Sequence, residues 1–400
     1  MSTTLYTQVN CGFRQVVKIL NVVNGAFDGL LGKTPSYNTI EDWVKKCGLE
    51  VYEKAGESLQ NTQYAQIVDE SMMIGSEKLL LTLGVPAQHQ GRPLNYSDIN
   101  VLNIAVAESW NGENIGIQLK AAAKKVGHDP LYIISDNAGA MKKGIRCLGV
   151  PHHRDISHSL GMFLERIYKN EADFKEYLTL MTEPKFKYNM KKIAYLLPPT
   201  QRTIARFMNL SEWVKWSGKM LKSYHMLSEE ERTVFSFIPL NASLIDELSE
   251  VIKCVNTIES ICKTKGLSKE TIKECKQIVK KHLFCGNTRM MQLGTFIFTF
   301  LTEEAKVMTE NINQNNSSDI IESIFGKYKA RKSFNKLNGV TPFILFLPIY
   351  AKLSSGPQSR RFDFKETLEN KRMIELENWK KVNLTQNLAQ LRTSCLKKSA

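Results

Sequence analysis

Apolar positions along this chain follow two different periods, and the change from one to the other marks its organisation. Between residues 13 and 27, Val16, Val17, Leu20 and Val23 recur at helical spacing, and a turn-rich stretch with Gly29, Gly32 and Pro35 ends that helix. Asn38 followed by Glu41 has the form of a capping box. Beyond it Ile40, Trp43, Val44 and Cys47 mark one face of a second helix, which Gly48 is placed to bend or end. Past residue 62 the pattern turns strand-like: residues 64–68, 78–85 and 101–107 are rich in Val, Leu and Ile and are separated by Gly75, Pro86, Gly91 and Pro93. Short connections predict an antiparallel meander. Ile115, Leu119, Ala122 and Val126 then form a helical stripe that stops at Gly127. Residues 131–135 form a buried strand closed by Asp136, residues 139–148 a short helix, and residues 151–156 a fifth strand.

Three strands, a helix, a strand, a helix and a strand is the element order of a ribonuclease H-like core. From residue 158 to 316 the pattern is helical, with interruptions at Pro184, the pair Pro198 and Pro199, Pro239 and Gly286. An Asn/Gln/Ser stretch at 311–318 breaks it, and Ile321, Ile324, Phe325 and Tyr328 mark one more helix that Ser317 or Ser318 can cap. The expected fold is therefore α/β: a ribonuclease H-like mixed sheet interrupted by a large all-helical insertion, with a small helical N-terminal module. The expected parts are 1–60 helical, 61–165 first part of the core, 166–316 insertion, 317–350 closing catalytic helix and 351–400 charged helical tail.

Composition adds a partner. Lys and Arg number 54 against 40 Asp and Glu in 400 residues, so the formal charge is +14 and the pI about 9.2, which favours a polyanion. Two short helices across a turn in such a protein fit a helix-turn-helix that contacts DNA, or a helical hairpin that binds nothing. No apolar run is long enough to span a membrane and no secretory signal opens the chain, so a cytoplasmic location is expected, on the nucleoid if the source is bacterial. The eight cysteines form no close C-x-x-C pair, and Cys147, His152, His153 and His158 match no common zinc spacing, so reduced thiols are expected. Gly32-Lys33-Thr34 resembles the end of a phosphate-binding loop, but Phe27 stands where that loop needs its first glycine.

Transfer of a phosphodiester without a covalent intermediate uses two divalent cations, and hard cations are held by a few carboxylates at the ends of core elements. Asp69 closes the apolar run Ile67-Val68, and Asp136 closes Ile133-Ile134-Ser135 and precedes the small residues Ala138, Gly139 and Ala140. In the expected core the first and fourth strands are neighbours, so both acids would share a metal. Glu322 borders the apolar face of the last helix, with Gly326 leaving space beside it. Lys327, Lys329, Arg331, Lys332 and Lys336 continue as a basic strip suited to phosphates. Each acid alone is equally a cap or turn former, and the strip alone a solvated helix face.

The segments Ile67-Val68-Asp69-Glu70-Ser71, Ile134-Ser135-Asp136-Asn137-Ala138 and Ser318-Asp319-Ile320-Ile321-Glu322-Ser323 resemble the three motif blocks of DDE transposases of bacterial insertion sequences, Mutator-like and hAT-like enzymes included. Asp155-x-x-His158 is similar to the (Cys/Asp)-x-x-His signature of the latter two, and the helical stretch before the glutamate to their insertion domain. Glu322 and Lys329 resemble the glutamate-lysine end of another insertion-sequence motif, whose tyrosine and arginine are here Asn315 and Ser318. The resemblance implies metal-dependent DNA cleavage and strand transfer at transposon ends. It implies Asp69, Asp136 and Glu322 on two Mg²⁺ or Mn²⁺ ions, with Asp155 and His158 supporting, or Asp155 in place of Asp136. Double-stranded DNA is the expected partner, bound by a homodimer or higher oligomer. The alternatives are a catalytically inactive transposase-derived DNA-binding protein and a ribonuclease H-like nuclease without strand transfer.

Overall fold

The computed structural model describes residues 1–9, 11–71, 73–200, 207, 210–309, 312–331, 339–353, 362–385 and 388–398. The chain divides into two compact units, one made of Met1–His153 with Ser318–Ala400 and the other of Arg154–Ser317. The expected insertion, 166–316, falls inside the second.

The first unit opens with helices α1 (Ser2–Gln8), α2 (Phe13–Ala26) and α3 (Tyr37–Glu53). A five-stranded mixed sheet follows: β1 (Tyr64–Glu70), β2 (Lys78–Pro86), β3 (Asn100–Ala107), β4 (Ile133–Ser135) and β5 (His152–Arg154), ordered β3-β2-β1-β4-β5. The expected meander is present, since β2 runs antiparallel to both β1 and β3, whereas β4 runs parallel to β1. Gly75 (φ 68°) provides the left-handed residue of the tight β1–β2 turn, across which Ile74 and Glu77 bridge.

Helices α4 (Gly112–Val126) and α5 (Gly139–Arg146) cover one face of the sheet, where Ile115, Leu119 and Met141 pack on Val68, Leu80 and Ile133. Gly127, at φ 98°, ends α4 as the sequence predicts. Side chains alternate along a strand, so Ile67, Leu81 and Ile134, all fully buried, face the other way. Burial on both faces explains why these strands read as apolar runs rather than as alternating patterns.

The N-terminal helices fall within the same compact unit as the sheet. Helix α3 buries Ile40, Val44, Cys47 and Leu49, and Tyr6 of α1 stacks on Phe13 with ring centroids 3.9 Å apart. Ser36, not Asn38, caps α3: its Oγ accepts from Thr39 N at 3.2 Å, because Ser36 is the extended residue just before the first helical one. Nor does Gly48 end the helix. A Cβ there would lie 1.9 Å from the carbonyl oxygen of Leu345, so its glycine serves a backbone approach rather than a turn. Near the end of α4, Lys125 lies with its Nζ 3.3 Å from the centroid of the Tyr52 ring while donating to Tyr52 O at 2.8 Å, and burial pushes its amino group down to about 7.

The second unit comprises α6 (Ile156–Tyr168), α7 (Ala172–Tyr188), α8 (Leu210–Ser223), α9 (Glu229–Val234), α10 (Phe237–Leu240), α11 (Ala242–Lys265), α12 (Lys269–His282) and α13 (Thr288–Val307). Its core includes Tyr168, Phe174, Tyr177, Trp213 and Phe300. Pro184, an expected break, lies inside α7: its ring is buried and the helix continues past it to Tyr188.

The chain then returns to the first unit with α14 (Asp319–Arg331), which packs on β1, and α15 (Phe346–Leu353), which packs on β3 and α3. The tail contributes α16 (Phe364–Asn370), α17 (Met373–Asn383) and α18 (Leu388–Lys398). Lys371 pins it to α3 through Glu50 (3.2 Å) and Glu53 (2.5 Å), and Trp379 packs edge-on against Tyr52.

Candidate active site

Two of the three expected acids lie at the C-terminal ends of the adjacent parallel strands β1 and β4. In the parallel pair, Gln66 stands opposite Ile133 and Ile67 opposite Ile134, held by Gln66 N donating to Tyr132 O at 3.1 Å and Leu131 N to Tyr64 O at 2.8 Å. The ladder stops there: Asp69 lies two residues beyond Ile67 on β1, and Asp136 directly follows Ser135, the last residue of β4. Both lie where their strands end, and both are half-buried. Asp69 falls on the side of β1 away from Val68 and therefore away from α4 and α5.

Local hydrogen bonds fix these ends. Asp69 Oδ1 accepts from Glu70 N at 2.8 Å, and Asp136 Oδ1 accepts from Ala138 N at 3.1 Å, a turn that stops β4 at Ser135. The buried Ser135 hydroxyl donates to Asp136 O (2.9 Å) and lies 2.8 Å from His152 Nε2, tying β4 to β5. Glu70 is ion-paired with Lys78 across the β1–β2 hairpin.

Glu322 lies in the first turn of α14, exposed, between the buried Ile321 and Ile324 that seat the helix. Tyr96 OH and Ser323 Oγ hydrogen-bond and hold this turn against the loop before β3. A Cβ at Gly326 would meet nothing within 4 Å, so the surface one turn beyond Glu322 is open. Among the described residues, no group of three or more His, Cys, Asp or Glu stands close enough to hold a metal ion. Asp69 and Asp136 thus stand at the ends of neighbouring strands, and with Glu322 on α14 they do not form a three-ligand set. A pair of carboxylates offers the oxygen donors that suit Mg²⁺ or Mn²⁺, which usually keep several waters.

Asp155 and His158 lie in the second unit. Asp155, 1% exposed, is the N-cap of α6, and its Oδ1 accepts from His158 N at 2.7 Å. Their spacing is that of a helix cap and its third residue.

The basic strip divides. Lys327 is exposed and Lys329 half-buried, but the Arg331 guanidinium packs among aromatic rings. Its Cζ lies 5.3, 4.6 and 5.6 Å from the centroids of Tyr6, Phe346 and Tyr350, and Nη2 donates to Tyr6 O at 3.4 Å. The reason is its spacing: Arg331 follows Ile324 and Tyr328 on the apolar stripe of α14, so it turns inward. Lys332 and Lys336 lie outside the described residues.

Sequence reasoning missed Glu77, which is 3% exposed and lies beside the same end of β1. Val340 N donates to its Oε2 at 2.6 Å, and burial holds its carboxyl above the usual carboxylate range. Nothing in a Gly-Ser-Glu turn marks such a residue beforehand. No protein-family model matches the chain, and no curated protein matches it.

Proposed function

We propose that the first unit is the catalytic core of a DDE-type DNA transposase on a ribonuclease H-like fold. The observation that carries this reading is that Asp69 and Asp136 stand at the ends of β1 and β4, two adjacent parallel strands. The sheet order β3-β2-β1-β4-β5, with an antiparallel meander and a parallel fourth strand, supports it. Asp69 and Asp136 would hold the divalent cations, with Glu322 as a third carboxylate brought from α14. Bound there, two Mg²⁺ or Mn²⁺ ions supply the positive charge that an in-line displacement at phosphorus requires.

The remaining work falls to the protein. The turn at Asp136 and the Ser135–His152 contact keep the strand ends in place, and Lys327 faces solvent in reach of a backbone phosphate. The open surface at Gly326 admits the strand close to the helix. Asp155 already caps α6, which favours Asp136 as the second ligand. Joining two DNA ends takes two such sites, so the working form is a homodimer or higher oligomer on double-stranded DNA.

The test is incubation of the full chain with labelled duplex ends and Mg²⁺ or Mn²⁺, with EDTA as control. Metal-dependent strand cleavage together with joined products is the expected result. Cleavage without joining makes the protein a nuclease, and binding without cleavage a DNA-binding relative that lacks the chemistry; either contradicts the proposal.

A further inference from the structure

The second unit carries an unusual surface where α7 ends. Residues 185–195 contain four lysines and no acid, and Phe186, Met190 and Tyr195 within them are 87%, 93% and 75% exposed. Helix α7 buries Phe174, Tyr177 and Met181 on its other side, so Phe186 is not a core residue slightly uncovered: its ring stands in solvent. Lys187 and Lys191 lie over the Tyr188 ring, their Nζ atoms 5.4 and 4.9 Å from its centroid, so cationic heads alternate with rings along the segment. Tyr195 OH donates to Glu231 Oε1 at 2.7 Å, which fixes that ring by its edge and leaves its faces to solvent.

A cavity of about 730 Å³ opens beside this segment, between the last turns of α7 and residues 197–200. Thr179, Thr182 and Asn189 give it hydroxyl and amide groups, and Trp213 forms part of its wall. The indole is locked, since Nε1 donates to Pro199 O at 2.8 Å, and Lys185 donates to the same oxygen with its Nζ 5.5 Å from the indole centroid. Lys185 therefore braces this wall, whereas Lys187, Lys191 and Lys192 are placed toward an outside partner.

We propose that this surface binds an unpaired nucleic-acid strand, with Phe186 and Tyr195 stacking on bases, Lys187, Lys191 and Lys192 contacting phosphates, and the adjoining cavity accepting a splayed base. Exposed rings interleaved with cations are what a single strand offers partners for, because every base has a π-face and every nucleotide a phosphate. A paired duplex hides those faces. A membrane surface is the poorer fit: the lysines alternate with the rings instead of segregating to a polar face, and the Asn189 amide would face acyl chains. A protein partner would have to answer Lys187, Lys191 and Lys192 with carboxylates, and a second copy of this chain, at a net charge of +14, is repelled overall. The inference does not depend on the transposase reading of the first unit.

The test uses fluorescence anisotropy with the full chain, an oligonucleotide of about 20 nucleotides and its duplex. The double variant Phe186→Ala/Tyr195→Ala is expected to bind the single strand at least about tenfold more weakly while changing duplex affinity less than about twofold. Lys187→Ala/Lys191→Ala/Lys192→Ala is expected to flatten the salt dependence of single-strand binding by about 2 in logarithmic slope. Both aromatic side chains are exposed, so a matching thermal unfolding curve checks that the fold is kept. Single-strand affinity unchanged in the aromatic variant, equal losses on single strand and duplex, or wild-type binding only to anionic vesicles or to a protein would each overturn the proposal. A photo-crosslink from an iodouracil strand should map to residues 185–195, and a crosslink confined to other peptides would also overturn it.

Discussion

Asp69→Asn and Asp136→Asn are each expected to lower metal-dependent strand cleavage by about 10³-fold or more, the loss that follows when about 4 kcal/mol of charge stabilisation disappears at the reacting phosphate. Asparagine is the informative replacement. Its side-chain oxygen can still accept from Glu70 N or Ala138 N, so the strand end and the β4 turn survive while the charge is lost. On the proposed reading DNA affinity should change less than about threefold, because Lys and Arg contacts to phosphate would carry it. Asp155→Asn is the control, since asparagine caps a helix about as well as aspartate, and cleavage should persist. Should Asp155→Asn abolish cleavage and Asp136→Asn spare it, the ligand assignment is reversed; parallel loss of DNA binding would make the two aspartates structural.

Gly48→Ala is expected to destabilise the first unit by more than about 3 kcal/mol, against the sign that helix propensity alone gives. Within a helix, alanine in place of glycine gains about 1 kcal/mol. At Gly48 the new methyl would lie 1.9 Å from Leu345 O and 2.7 Å from Leu345 C, and a backbone carbonyl cannot rotate aside as a side chain can. Helix α15 and the turn before it would have to retreat from α3, opening contacts made by Ile40, Val44 and Cys47. Gly25→Ala supplies the contrast, since a Cβ in that helix meets nothing within 4 Å and should stabilise by up to about 1 kcal/mol. With two units in one chain, a single unfolding midpoint is a poor readout, so native-state hydrogen exchange of the α3 amides is the measurement. Exchange about 100-fold faster in Gly48→Ala is expected, and exchange as slow as in the parent chain would refute the close approach.

Much of the sheet was legible because both of its faces are buried. Strands covered on two sides become unbroken apolar runs, and Asp69 and Asp136 stood out as the acids on which two such runs end. Strand pairing was less visible: short connections predicted the meander, but that β1 and β4 are neighbours was expected only from the ribonuclease H-like element order. Capping was misread at Asn38 because a capping box is a local pattern satisfied at several neighbouring positions, and Ser36 lies nearer the first helical residue. What packs on the N-terminal helices was not legible, because sequence spacing shows that a helix has an apolar face but not what covers it, which here includes α15. Arg331 read as a phosphate contact by charge, although its spacing from Ile324 and Tyr328 already placed it on the apolar stripe. The Phe186 and Tyr195 surface was hidden for the opposite reason, since an aromatic residue in a helical pattern reads as core until its exposure is seen.

Whether Asp69 and Asp136 hold a divalent cation is the central question, and anomalous scattering from Mn²⁺ in crystals of the full chain answers it directly. The account predicts Mn²⁺ on the carboxylates of Asp69 and Asp136 together, with Glu322 turned toward the same ions. Mn²⁺ bound elsewhere and absent from these two residues, or Glu322 directed into a different cleft, would contradict it.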